Sequence, residues 1–93
     1  MSIIARRLMI HGRVQGVFYR KWAARTATDL GLAGWVRNRA EGSVEAVIEG
    51  QTGSVERFVA LARQGPVAAS VSRIDVEEAE PSGLPTFEQR NTL

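Results

Sequence analysis

The stretch LAGWVRNRAEGSVEAVIEG, residues 32–50, predicts a β-hairpin in the middle of the chain. Two strand-like runs, residues 32–38 and 43–50, are separated by RAEG, and the glycine of this linker suits the positive φ of a hairpin loop. The hairpin therefore supplies two neighbouring antiparallel strands, around which the rest of the chain is arranged.

Side chains in the second run of this hairpin alternate between apolar and acidic. Val44, Ala46 and Ile48 alternate with Glu45 and Glu49, and Val47 between the last two is the exception. Because successive side chains of a strand point to opposite faces, the pattern predicts one buried face and one face in water.

Segments on both sides of the hairpin give the remaining elements. Strand-like runs occupy residues 3–11, 71–80 and, more briefly, 86–90. Apolar residues at helical spacing predict one helix that begins at Tyr19 and ends before Gly31, and a second over residues 55–62 with Thr52 or Ser54 as N-cap.

This order of elements is strand, helix, strand, strand, helix, strand, with a short last strand added. It is typical of an α+β fold, the ferredoxin-like α/β sandwich, in which two helices lie on one face of a mostly antiparallel sheet. With 93 residues the chain is expected to form a single domain over residues 1–93.

Composition excludes several classes of protein. Apolar residues make up 44% and charged residues 24% of the chain, as in folded globular proteins, and cysteine is absent, which excludes disulfides and a thiolate nucleophile. Arg6 and Arg7 interrupt the first apolar run, and no later run has the length of a membrane span. We therefore expect a cytoplasmic protein with no membrane partner.

Charge is unevenly distributed along the chain. Residues 1–40 contain eight basic residues and one acid, whereas the remainder contains four basic residues and nine acids. Clustered positive charge in the first part favours an anionic partner. A solvated basic face accounts for the same charge equally well.

The segment HGRVQGVFYR, residues 11–20, joins the first strand to the first helix. It is neither a G-x-G-x-x-G nor a Walker A motif, yet its glycines allow a tight turn whose N–H groups point inward, and a helix N-terminus follows. Arg20 adds a planar fork that matches two phosphate oxygens. The alternative is a plain turn with an arginine on the surface.

Two other polar residues, Asn38 and His11, are candidates for a catalytic role. Asn38 ends the first hairpin strand, a place where asparagine commonly begins a turn. His11 is the only histidine, and no group of His, Asp and Glu has metal-ligand spacing, so we expect neither a metal nor a cofactor. We expect His11 to end its strand rather than to act as a base.

Three motifs, GRVQGVFYR, GLAGWVRN and GSVEAVIEG, resemble the acylphosphatase family, whose signature is roughly GxVQGVxFR followed by GWVRN and GxVE. The likeness extends from Ile3 to about Arg90. It implies that Arg20 binds phosphate, that Asn38 places the attacking water, and that a loop wraps the phosphate. The residues of that loop are Gly12, Arg13, Val14, Gln15, Gly16, Val17, Phe18 and Tyr19.

The same resemblance implies metal-independent hydrolysis of small acyl phosphates to a carboxylate and phosphate, by a monomer that also binds phosphate or sulfate as product-like ligands. Acetyl phosphate, carbamoyl phosphate and bisphosphoglycerate are the implied substrates. The chain departs from the family pattern at Tyr19, where phenylalanine is more usual, and at Gln89, where an apolar residue is usual. The second departure puts the packing of the last strand in question.

Two alternatives remain open at this point. An RRM-like RNA-binding module has the same element order and suits the basic first half, but residues 43–49 carry acids where an RRM has its aromatic RNP1 pattern, so we expect no nucleic acid partner. A non-catalytic domain that binds acyl or carbamoyl phosphate within a larger protein is the other.

Overall fold

Strands and helices follow one another in the predicted order. The computed structural model describes residues 2–93, and its elements are β1 (Ile3–Arg13), α1 (Tyr19–Asp29), β2 (Ala33–Asn38), β3 (Val44–Gln51), α2 (Thr52–Ala62), β4 (Ser70–Ala79) and β5 (Phe87–Gln89). They form one sheet in the order β4-β1-β3-β2-β5, antiparallel except for the parallel pair β2 and β5. The predicted ferredoxin-like α+β fold is confirmed.

The core lies between the sheet and the two helices. From β3, Val44, Ala46 and Ile48 are fully buried, as their alternation predicts. From α2, Phe58 is fully buried in the same cluster, and α1 contributes small alanines that let it approach the sheet closely. Burial of one side chain such as Phe58 stabilises the folded chain by about 1.5 to 3 kcal/mol.

The opposite face of β3 is not in water, which corrects the prediction for its two acids. Glu45 is 3% exposed and Glu49 is 5% exposed. Arginine side chains from β1 and β2 cover Glu45, and a segment from the far end of the chain covers Glu49. Local alternation identifies the face correctly, but it carries no information about what covers that face from a distance.

The segment of residues 80–86 covers Glu49 because of the strand order. The strand β4 lies at one edge of the sheet and β5 at the other, so the chain between them must cross the sheet. It does so on the face opposite the helices. The carboxylate of Glu49 accepts hydrogen bonds from the N–H groups of Ser82 (3.1 Å), Gly83 (2.9 Å) and Leu84 (3.3 Å).

These bonds decide the charge state of Glu49. Burial by itself raises the pKa of the Glu49 carboxyl, but the hydrogen bonds from residues 82–84 outweigh burial, and the pKa is lowered. A carboxylate that accepts several backbone N–H groups is stabilised in its charged form. Glu49 therefore acts as an anionic anchor for the crossing segment.

The second helix begins differently from the prediction. It starts at Thr52, directly after β3, and its N-cap is Gln51 in an extended conformation with no side-chain cap. The prediction that Thr52 or Ser54 is the cap is wrong. The hydroxyl and N–H of Thr52 instead lie near the carbonyl of Ser2, which ties the start of the helix to the start of β1.

Tyr19, one of the two departures from the family pattern, has a structural role in the core. Its ring is buried and its hydroxyl donates a 2.6 Å hydrogen bond to the carbonyl of Ala62 at the end of α2. The last carbonyls of a helix have no partner within the helix, so this bond satisfies one of them. Burial also raises the pKa of the Tyr19 phenol, which keeps it a donor.

The other departure, Gln89, does not prevent the last strand from packing. Its neighbour Phe87 packs against the core and lies 6.5 Å from Phe58 between ring centroids. Gln89 itself is exposed and pairs in register with Val36 of β2. One aromatic side chain therefore anchors this short strand, and the position of Gln89 is free to be polar.

Substitution of Gly34 tests the close approach of β2 to β3. Gly34 has φ of 137°, and a Cβ there would overlap the carbonyl of Val47. We expect Gly34→Ala to lower the free energy of unfolding by more than about 1 kcal/mol, measured by urea denaturation.

The matched control is Gly53→Ala. Gly53 lies in α2, and a Cβ there meets no atom within 4 Å. Alanine is the better helix former by roughly 0.5 to 1 kcal/mol, so this variant should be as stable as the original chain or more stable. Equal loss of stability in both variants would contradict the steric explanation.

Candidate functional site

The site begins where β1 leaves its regular pairing with β4. The register shifts between His11 and Gly12, and Gly12 has φ of 122°. A side chain at Gly12 would collide with the carbonyl of Ser70 and with the backbone of Ser72. The bulge turns the chain out of the sheet and into the loop of residues 14–18 that leads to α1.

Three side chains hold this loop in place. Val14 and Val17 are buried in the core. The amide of Gln15 donates two hydrogen bonds, to the carbonyl of Arg39 (2.7 Å) and to that of Ser43 (2.8 Å). These two carbonyls flank the turn between β2 and β3, so Gln15 ties the loop to the hairpin that carries Asn38.

Backbone N–H groups of the loop are left without partners in the fold. Within residues 2–93, none of the N–H groups of residues 15–21 donates to a backbone carbonyl, and the first bond of α1 runs from Trp22 N to Phe18 O (3.0 Å). Gly16 (φ 71°) and Phe18 (φ 65°) have left-handed conformations. Such a run of N–H groups beside a helix N-terminus is suited to an anion.

The first turn of α1 has an unusual charge. It contains no acid and no side-chain cap, and Arg20 and Lys21 lie within it. Cations near a helix N-terminus are unfavourable because the macrodipole is positive there. The positive charge at the start of this helix is therefore not offset by an acidic side chain or a side-chain cap in the same turn.

A cleft of about 290 Å³ lies above this turn. It brings together Arg20 from α1 and Asn38 from β2, as the resemblance implies. The lining residues are Val14, Gly16, Phe18, Tyr19, Arg20, Lys21, Asn38 and Gln89. Four of the predicted loop residues do not line the cleft, namely Gly12, Arg13, Gln15 and Val17. Arg13 is exposed and pairs with Ser70 of β4.

Arg20 is available to a ligand. Its side chain is half-buried, and its one hydrogen bond in the part of the chain that the structure describes is a long one, 3.3 Å from Nη1 to the carbonyl of Arg90. None of the salt bridges formed among residues 2–93 involves Arg20. The guanidinium thus keeps most of its donors free.

The residues on either side of Asn38 hold it in position. Arg37 and Arg39 point to the helix-free face, where Arg37 Nε (2.8 Å) and Arg39 Nη1 (3.1 Å) bind one carboxylate oxygen of Glu45. Arg7 Nε binds the other oxygen at 2.7 Å. Because strand side chains alternate, Asn38 points the opposite way, into the cleft.

The backbone of Asn38 is held as well. Its carbonyl accepts a hydrogen bond from the N–H of Leu93 (3.1 Å), and the N–H of Arg90 bonds to the carbonyl of Val36 (2.8 Å). Residues 90–93 therefore continue the edge of the sheet past the end of β5. Gln89, the last residue of β5, lines the cleft just before them.

The charge state of Glu45 follows from the same contacts. Burial raises the pKa of the Glu45 carboxyl, but hydrogen bonds and charge from Arg37 and Arg7 outweigh burial, and the pKa is lowered. Hydrogen bonds to a charged form favour that form. Glu45 is thus a buried anion shared by three arginines.

Two residues of the cleft were absent from the predicted set, namely Lys21 and Gln89. A sequence signal exists for each. Lys21 follows Arg20 in a helix start that lacks acids, and Gln89 is polar where the family pattern is apolar. Their contribution to the cleft becomes visible only when α1 and β5 are placed side by side.

Three further predictions concern His11, a metal site and a membrane-spanning helix. His11 Nε2 lies 3.1 Å from Asp75 Oδ2 on β4. The prediction that His11 ends its strand is wrong, because β1 continues through Gly12 to Arg13, which still pair with β4 beyond the register shift. Among the residues that the structure describes, no three His, Cys, Asp or Glu side chains are grouped so as to hold a metal ion. Over the same residues, no helix has both the length and the apolar character needed to cross a membrane.

Comparison with known proteins decides the family. The acylphosphatase family model matches residues 6–89. The chain belongs to the acylphosphatase family. An acylphosphatase of Azoarcus sp. (strain BH72) is 58% identical over 81 residues, which cover 87% of this chain and 83% of that relative. The predicted family and the predicted class of enzyme, an acylphosphatase hydrolase, are confirmed.

Solved structures agree with this assignment. The acylphosphatase from Bacillus subtilis is 34% identical, with a TM-score of 0.91, and the match covers 94% of this chain and 98% of that chain. HypF of T. kodakarensis is 29% identical with a TM-score of 0.83, and the match covers 97% of this chain but 12% of HypF. The family fold thus also occurs as a small part of a larger protein.

Acidification tests the buried ion cluster. The folded pKa of Glu45 lies below its ordinary value of 4.5, so its stabilising effect is fully present above that pH and is lost as pH falls through the folded pKa. We expect Glu45→Gln to be clearly less stable than the original chain at pH 7. The difference in free energy of unfolding should narrow steadily below about pH 4.5.

Glu56→Gln is the control, because Glu56 is exposed on α2 and forms no salt bridge within residues 2–93. Its effect on stability should be small at every pH. Urea denaturation at a series of pH values measures both variants. A difference for Glu45→Gln that does not change with pH would show that its charge is not the stabilising factor.

Proposed function

We propose that this chain hydrolyses small acyl phosphates to a carboxylate and inorganic phosphate. Arg20 and the loop N–H groups bind the phosphate, and Asn38 orients the attacking water. The observation that carries the proposal is the convergence, in one cleft, of an arginine with most of its donors free, unpaired N–H groups and an asparagine from a separate element.

Phosphate binding follows from the chemistry of the donors. The N–H groups of residues 15–21 and the guanidinium of Arg20 are all donors, and α1 adds the partial positive charge of its N-terminus. An arginine fork binds two oxygens of one phosphate at once. A phosphate leaves water for a protein site only where several donors replace its hydration shell. This loop provides such donors.

Asn38 gives the cleft a group that anion binding alone does not need. A side-chain amide offers both a donor and an acceptor, so it can fix the orientation of a water molecule. Its place on β2, rather than on the phosphate loop, allows water to approach from a different direction than the loop donors. In-line displacement requires such a separate position for the nucleophile.

An acyl phosphate also explains why the cleft contains no carboxylate. Its leaving group is itself a carboxylate, with an ordinary pKa of about 4, so it departs without a proton from the enzyme. The substrate phosphate has a second pKa near 6, as phosphate esters do, and can accept the proton of the attacking water. No Asp or Glu lines the cleft among the described residues, in accord with such substrate-assisted hydrolysis.

Catalysis then consists of positioning and charge stabilisation. The transition state of phosphoryl transfer is loose, and its charge is spread over the equatorial oxygens, where the loop N–H groups and Arg20 donate.

A pH profile of kcat/KM tests the absence of an enzyme base. An essential enzymic base that titrates near neutrality would argue against this mechanism.

Replacement of Arg20 tests the phosphate site. We expect Arg20→Ala to lower kcat/KM for acetyl phosphate by about 10² to 10³, a barrier increase of about 3 to 4 kcal/mol, because one main donor to the transition state is lost. Arg20→Lys should restore little, since an ammonium group cannot replace the planar fork. Arg57→Ala, an exposed arginine on α2, is the control and should retain full activity.

Replacement of Asn38 separates catalysis from turn formation. We expect Asn38→Ala to fold with nearly unchanged stability in urea and to lose most of its kcat, while inorganic phosphate still inhibits with a similar constant. Asn91→Ala, an exposed asparagine near the end of the chain, serves as control. Unchanged turnover would leave Asn38 only a structural role at the end of β2.

A chelator experiment tests the metal-independent chemistry. Hydrolysis of benzoyl phosphate or acetyl phosphate should continue unchanged in EDTA. Loss of activity that a divalent ion restores would overturn the mechanism. Phosphate binding without hydrolysis of any acyl phosphate would instead favour the alternative of a non-catalytic binding domain.

A further inference from the structure

A second groove, of about 370 Å³, adjoins the cleft. It is lined by Phe18, Lys21, Trp22, Arg25 and Pro66. Phe18 and Lys21 line the cleft as well, so the two concavities share a wall. A ligand held in the cleft by its phosphate therefore has room to extend into this groove.

Phe18 is held in an unusual position between the two. It is the only residue other than glycine with positive φ among residues 2–93, and its side chain is 77% exposed. A left-handed conformation costs a phenylalanine roughly 1 to 3 kcal/mol, and such strain is concentrated at functional sites. The strain is not explained by burial of the ring, because the ring faces solvent at the edge of the cleft.

The rest of the groove has a rigid apolar floor. The ring of Trp22 lies 5.4 Å from that of Tyr19 and 6.3 Å from that of Phe58, measured between centroids, so the buried core fixes it. Pro66 adds a ring whose backbone φ is restricted. An apolar surface that is already in place binds an apolar group without the cost of ordering mobile side chains.

Lys21 and Arg25 define the charge of the groove. Both are exposed on α1, and neither takes part in the salt bridges formed by the described part of the chain. Together with Arg20 they give the cleft and the groove one continuous positive edge. This charge disfavours a cationic occupant and is compatible with a neutral or anionic one.

The direction of the reaction indicates what occupies the groove. In an in-line displacement, water and the leaving oxygen lie on opposite sides of the phosphorus atom. Asn38 lines the cleft but not the groove. With water on the side of Asn38, the leaving carboxylate and its substituent point away from Asn38. The groove adjoins the cleft at Phe18 and Lys21 and not at Asn38, so it is suited to receive that substituent.

We infer that this groove is the subsite for the acyl group, and that Phe18 sets a preference for aromatic or bulky apolar acyl groups over acetyl. The inference rests on the proposed function, because it assigns a place to the leaving group of that reaction. Contact with Phe18, Trp22 and Pro66 stabilises a large acyl group, whereas an acetyl group is too short to use it.

The test compares benzoyl phosphate with acetyl phosphate in steady-state kinetics. We expect Phe18→Ala to lower kcat/KM for benzoyl phosphate roughly tenfold more than kcat/KM for acetyl phosphate, the effect of removing an apolar contact of this size. Phe18→Leu, which keeps apolar bulk, should retain most of the ratio between the two substrates. The inhibition constant of inorganic phosphate reports on the phosphate loop and should not change.

Val67→Ala is the matched control, since Val67 is an exposed apolar residue next to Pro66 that lines neither concavity. It should leave both substrates unaffected. An unchanged substrate ratio in Phe18→Ala, or an equal fall for both substrates together with weaker phosphate inhibition, would overturn the inference. If the original chain hydrolysed neither substrate, the proposed function itself would fail, which is a distinct result.

Discussion

Two buried carboxylates on β3, Glu45 and Glu49, hold together the framework on which the site depends. A buried charge is costly unless it is paired and hydrogen-bonded, so each carboxylate fixes the groups that neutralise it. Glu45 binds arginines on both sides of Asn38 and thereby orients the end of β2. Glu49 binds the backbone of the segment that carries the chain across the sheet to β5. The two anions thereby hold the end of β2 and the segment that leads to β5, and these elements supply Asn38 and Gln89 to the cleft.

The start of α1 departs from the rules that stabilise ordinary helices. It has cations where acids are favoured, lacks a side-chain cap, and places Phe18 in a strained conformation. Departures of this kind are expected at functional sites and are compensated elsewhere in a fold. Here the compensation comes from Tyr19, whose buried ring and hydrogen bond to Ala62 fix the helix against α2. The donors of the loop remain unpaired because the core, rather than a cap, holds the helix in place.

Much of this could be predicted from local patterns. The alternation of Val44, Ala46 and Ile48 identified the buried face of β3, and the run that begins at Tyr19 identified α1, because a periodic apolar pattern is itself the cause of such elements. The cap of α2 was predicted wrongly, since Thr52 is engaged by Ser2, a residue about fifty positions earlier. The face of Glu45 and Glu49 was predicted wrongly for the same reason: the groups that bury them come from β1, β2 and residues 82–84.

The sequence by itself determined the order and type of the elements, the family, and the identity of Arg20 and Asn38 as candidates for chemistry. These depend on periodicity and on short motifs, which are local in the chain. Only the tertiary structure decided that the two residues share one cleft, that Lys21 and Gln89 join them, and that a groove behind Phe18 adjoins it. Such facts arise where elements distant in sequence meet, and the contacts that bring them together, chiefly the bonds of Gln15, Glu45 and Glu49, are set by three-dimensional packing rather than by spacing along the chain.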